Sequence, residues 1–129
     1  MLRRPRTDQG SAVVDFVLVL VVLVPLFLGI MQVALVLHVR NTLTSAASEG
    51  ARYAATVDQP LEAGVERTRA QITGAIAGRF AQEVRATQTV RDGVPVVRVD
   101  VVAEVPPLGV WGPGVRLAVA GHAVEELTP

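Results

Sequence analysis

Cysteine is absent from the chain, which removes disulfides, thiolate metal sites, a cysteine nucleophile and a lipoprotein-type acyl anchor. Any part of it outside the cytoplasm must be held by its own core or by neighbours. Lysine is absent too: all twelve basic residues are arginine, which we read as the coding bias of a GC-rich genome, without functional content. Twelve acidic residues balance them to a net charge of zero, so there is no basic excess to neutralise phosphates and no case for direct nucleic-acid binding. At 129 residues there is room for one modest domain.

What the chain has is apolar residues, 50% of the total, gathered unevenly. From Phe16 to Leu37 only Gln32 is strongly polar and nothing is charged. As a helix that run is about 33 Å long, enough to cross a hydrocarbon core near 30 Å. Arg3, Arg4 and Arg6 precede it and only Arg40 follows closely, so the positive-inside rule keeps the N-terminus in the cytoplasm and sends the remainder out. Pro25 and Gly29 are tolerated in a membrane helix, Pro25 with a mild bend expected. Two plainer readings remain open. One is a cleaved secretory signal ending near Thr44-Ser45-Ala46, although the apolar run is long for that and Arg40 sits in the stretch before that site. The other is an uncleaved signal anchor carrying an unrelated domain.

Asp15 argues against both. A carboxylate entering a membrane helix costs about 2–3 kcal/mol near the centre and less at the interface, so such a residue usually has a partner. A cut after Gly10 would give Ser11 a new α-ammonium, and Asp15, four residues on, lies one turn away on the same face. The cut creates the cation that the carboxylate needs. The alternative is that Asp15 simply sits among the headgroups.

Gly10-Ser11-Ala12-Val13-Val14-Asp15-Phe16 resembles the processing site of type IV prepilins: Gly, four residues, an acidic residue, then an aromatic. The form with so short a leader is similar to the tight-adherence (Flp, type IVb) group. Residues 41–55, which include Glu49-Gly50-Ala51-Arg52, resemble the segment that follows the membrane helix in TadE-like pseudopilins. The resemblance covers residues 10 to about 55. Asp stands where Glu is more usual, and Gln32 where many relatives carry a carboxylate. By this resemblance the chain is a minor pilin or pseudopilin. Its implied partners are a prepilin peptidase cutting between Gly10 and Ser11, other pilin and pseudopilin subunits, an inner-membrane assembly platform and the membrane. Asp15 and Phe16 would act in assembly. A place in a surface pilus follows from the same likeness.

Beyond the membrane, Leu43, Ala46, Ala47, Gly50, Ala51 and Ala54 follow the spacing of one helical face. Small residues there permit close approach, either by the subunit's own domain or by another subunit. Asp58-Gln59-Pro60 reads as a break and a new helix start, with Leu61, Val65, Ile72, Ile76 and Phe80 along one face and Gly64, Gly74 and Gly78 weakening it. Afterwards the period becomes two. Val84, Ala86 and Val90 suggest a strand, and Asp92-Gly93 is a hairpin signal. Val97, Val99, Val101, Ala103 and Val105 then point one way until Pro106-Pro107, and a third strand runs from about Val115 to Val124.

The expected fold is therefore α+β and pilin-like: a long N-terminal helix with a transmembrane half, a second helix and a small three-stranded antiparallel sheet. The expected divisions are a basic leader at 1–10, the long helix at 11–56 with its membrane span at about 16–37, and an extracytoplasmic head at 57–129. Neither His38 nor His122 has ligand partners at metal spacing, and no glycine-rich loop joins a strand to a helix. Ser45 and Ser48 lack a base nearby, and Glu125 and Glu126 read as solvated. We expect no enzyme, no cofactor and no metal. Trp111, on a Gly/Pro loop, reads either as a plug for the end of a small core, which we favour, or as an exposed contact.

Overall fold

A computed structural model of the chain describes residues 7–56, 58–80, 83–109 and 112–126. Its elements follow the expected α+β order. Helix α1 spans Thr7–Ala54 and α2 Leu61–Ala75; a 3-10 turn at Gly78–Phe80 leads to β1 (Glu83–Arg91), β2 (Val94–Val105) and β3 (Val115–Val124). The strands form an antiparallel meander in the order β1-β2-β3. Both helices lie on one face of that sheet.

The alternating run of β2 carries the core. Val97, Val99, Val101, Ala103 and Val105 are all buried, and cross-strand register adds Val84 and Ala86 from β1 and Leu117, Val119 and Ala123 from β3. Opposite them stand Val39, Leu43, Ala47 and Ala51 of α1, with Ile72 of α2 and Phe80 of the turn. The other face of the sheet is polar. There Arg98 donates from Nε to both oxygens of Asp100, at 2.8 and 3.0 Å; this hydrogen bond first, and the carboxylate charge second, hold the guanidinium above its usual pKa.

Turn chemistry matches the sequence. Asp92 and Gly93 both have positive φ (53° and 80°), the two-residue hairpin connection that suits strand twist. Pro60 takes the N-cap position of α2, its carbonyl accepting from the Ala63 N–H at 3.0 Å. Val90, expected to face inward, is 73% exposed, because the hairpin end of β1 runs beyond the helices: α1 stops at Ala54, beside Val97 and Ala123. The second helix also ends earlier than its apolar pattern suggested. Ile76 is its C-cap, and Phe80 reaches the core from the 3-10 turn.

The faces between α1, α2 and the sheet are set by glycines. A Cβ on Gly50 would lie 2.6 Å from the Gly64 carbonyl oxygen and closer still to Thr68 Oγ1; one on Gly64 would lie 2.7 Å from Ala54 Cβ. Gly64 was expected to weaken α2, yet it is the point at which α1 and α2 cross. Thr68, the one buried polar residue among those described, satisfies its hydroxyl by donating to the Gly64 carbonyl at 2.8 Å. On the other side of α1, Gly121 of β3 faces the backbone of Ala47 and Ser48, with no room for a side chain.

Candidate membrane and assembly helix

Helix α1 is two helices in environment and one in backbone. Its second half is wrapped by the head, and Ala46, Ala47, Gly50, Ala51 and Ala54 are all buried within the chain, against α2 and the sheet. Its first half is bare. Val13, Phe16, Val22 and Phe27 are each 60% or more exposed, and open apolar side chains continue to Leu37. Among the described residues this is the one helix long and apolar enough to cross a membrane. A continuous apolar surface of this length is stable only against lipid or other apolar helices. Valine is a modest helix former in water, but in lipid a helix is favoured because it bonds its backbone groups within the segment, the Val21 carbonyl excepted since Pro25 has no N–H.

The sequence-marked residues fall at the start of this bare half. Gly10 and Ser11 lie within α1, exposed, with nothing within 4 Å of the position a Cβ on Gly10 would take. Asp15 and Phe16 follow on the open surface. The ion pairs among the described residues are Arg67–Glu49, Arg85–Glu83 and Arg98–Asp100, so Asp15 has no cationic partner among them.

Where the two halves meet, Gln32 does something the sequence did not announce. Its Oε1 accepts from the Leu108 N–H at 2.8 Å, and its Nε2 donates to the Pro106 carbonyl at 3.3 Å. A single side-chain amide thus holds the turn after β2 as another backbone strand would. Pro25, Leu28 and Gly29 form a shallow groove with Pro107, Leu108, Pro113 and Val115 on the same side. Leu35 and Val36 are already partly buried against the core. The signal was present: a lone amide in a long apolar run needs a partner. The strand-to-strand turn that supplies it is remote in sequence.

Farther along, Arg40, Asn41, Thr44, Ser48, Arg52 and Gln71 line an open polar depression between α1 and α2. Arg67 pairs with Glu49 at 3.6 Å and lies over the Tyr53 ring at 5.9 Å. These are exposed charges of small energetic weight. Among the described residues no group of His, Cys, Asp and Glu is placed to hold a metal ion. His38 lies exposed on α1 and His122 exposed on the outer face of β3. Trp111 lies outside the described residues.

Residues 10–52, about a third of the chain, match the family model described as TadE-like protein. The match covers the bare half of α1 and most of the wrapped half, and it associates this helix with components of the Tad pilus. No curated protein and no solved structure matches the chain.

Proposed function

We propose that this chain, with its TadE-like helix, is a minor pilin or pseudopilin of a tight-adherence (type IVb) pilus. Before assembly it crosses the cell membrane once, N-terminus in the cytoplasm and head outside. A prepilin peptidase removes residues 1–10, and Ser11 becomes the N-terminus. The mature subunit then leaves the bilayer through the assembly platform, and its bare half-helix exchanges lipid for the helices of other pilin and pseudopilin subunits.

One observation carries this reading: an apolar half-helix without cover begins at a carboxylate that has no cation among the described residues, within the segment that matches the family model. Cleavage supplies the missing cation as the Ser11 α-ammonium, on the same helix or on a neighbour in the filament. The function is structural, and no catalytic step is assigned to the chain. The arginines at 3, 4 and 6 support the orientation.

The test is the N-terminal residue of protein isolated from its own cell, read by mass spectrometry. Ser11 is expected, and Gly10→Leu should block its appearance. A chain that still begins at Met1, or begins near Ala47, overturns the proposal. A second reading has one observation in its favour: the head closes its core within the chain, as a binding or sensor domain on a signal anchor would. On that reading residues 1–10 persist and Asp15→Ala leaves any assembly unchanged.

A further inference from the structure

The turn held by Gln32 lies at an unusual height. Asp15 and Arg40 are the charged residues that bracket the apolar run, twenty-five residues or about 38 Å apart along a helix. A hydrocarbon layer of about 30 Å centred between them ends about 4 Å before Arg40, near Leu37. Gln32 then lies about 8 Å inside that boundary, and Leu28 and Gly29 lie deeper. A tilt of about 20° shortens these heights by only about 6%. The turn bonded to Gln32, and the groove it forms with Pro25, Leu28 and Gly29, are therefore at acyl-chain depth.

We infer that the described residues of the β2–β3 turn, 106–109 and 112–114, are embedded in the outer leaflet, so that the protein meets lipid through them as well as through α1. The inference rests on α1 crossing the membrane and is independent of cleavage and assembly.

The chemistry of the turn fits that depth. Between Glu104 and Arg116 no residue carries a charge. Irregular backbone at membrane depth is costly unless its polar groups are satisfied, and two features of the turn lower that cost. Pro106, Pro107 and Pro113 have no N–H to satisfy. The Leu108 N–H and the Pro106 carbonyl are both bonded to Gln32. Leu108 is 46% and Val115 37% exposed, apolar side chains left partly open among the described residues, on the same side as Pro25, Leu28 and Gly29 of α1. Register then places Glu104 directly opposite Arg116. These two charged residues sit where β2 and β3 rise out of the turn, as a boundary with water requires.

The absence of cysteine makes the test direct. Full-length chain carrying single substitutions Val22→Cys, Leu108→Cys or Thr89→Cys is spin-labelled and placed in phosphatidylcholine–phosphatidylglycerol vesicles at low protein-to-lipid ratio. Collision with dissolved oxygen is compared with collision with a water-soluble nickel chelate. Val22, mid-span, reports whether α1 crosses the bilayer, and Thr89, at the far end of the sheet, reports water. Oxygen should exceed nickel several-fold at both Val22 and Leu108, with the reverse at Thr89. Adding Gln32→Leu, which leaves the Leu108 N–H and the Pro106 carbonyl unpaired, should move the Leu108 label several-fold toward nickel. If that variant fails to fold, the parent readings still decide. A Leu108 label that behaves like Thr89 while Val22 lies in lipid overturns the inference alone. A label shielded from both reagents, meaning that a second copy covers the turn, also overturns it. Nickel dominant at Val22 instead sinks the membrane reading beneath it.

Discussion

Replacing Gly50 with alanine adds one methyl group where α1 and α2 cross, and the outcome can be worked from the structure. The new Cβ would lie 2.6 Å from the Gly64 carbonyl oxygen, whereas ordinary contact begins at 3.4 Å. The helices must therefore part by about 0.8 Å, since a carbonyl in a helix cannot turn away and the repulsive wall is steep. Parting them loosens Ile72 and Thr68, both fully buried on α2. Against a backbone carbonyl that cannot move aside, such overpacking falls in the upper part of its usual range, about 2–3 kcal/mol, while alanine for glycine in a helix returns about 1 kcal/mol. The cost should prevail by about 1–2 kcal/mol, or a melting temperature lower by about 5–15 °C for a head of this size. Urea and thermal unfolding of the full chain in detergent, followed by circular dichroism, measures it. Gly74→Ala is the control: nothing lies within 4 Å of its Cβ position, and stability should rise by about 0.5–1 kcal/mol. Adding Thr68→Ala to Gly50→Ala should recover only part of the loss, because the Gly64 carbonyl stays in place. If Gly50→Ala is as stable as the parent or more so, the close crossing is wrong.

Two further substitutions probe the same head. Gly121→Val would drive a branched side chain into the backbone of Ala47 and Ser48, separating α1 from the sheet. It should abolish the cooperative unfolding transition while leaving helical content, and retention of a normal transition would refute the contact. Leu43→Ala empties a fully buried site between α1 and the sheet and should cost about 2–5 kcal/mol in the same urea titration, whereas a loss below about 1 kcal/mol would place Leu43 outside the core.

Most of the architecture could be read from period and punctuation. The alternation at Val97 to Val105 gave both the strand and its buried face, and Asp92-Gly93 located the hairpin. Leu43, Ala46, Ala47, Gly50, Ala51 and Ala54 gave the wrapped face of α1. Contacts between elements were less legible. Propensity marks Gly64 as a weakness, and only the position of Gly50 across the crossing turns it into a requirement. Nothing local to Gly121 distinguishes it from a turn glycine, since what it avoids is the backbone of Ala47, more than seventy residues earlier. Val90 continues the alternation of β1, but the sequence does not say how far the helices reach. For the candidate site, Asp15 and Gln32 stood out because each is polar in an apolar run. The partner of Gln32 is a pair of backbone groups, which no side-chain pattern reveals.

Helix α1 runs without interruption through forty-eight residues, about 72 Å of rod, and the sheet is fastened along its far half. No flexible linker separates the bare half of the helix from the sheet. A lift, tilt or rotation applied at Phe16 is delivered at Ala54 almost undiminished, and the domain turns with its shaft. The direction in which the polar sheet face looks is fixed by how the bare end of the rod is held.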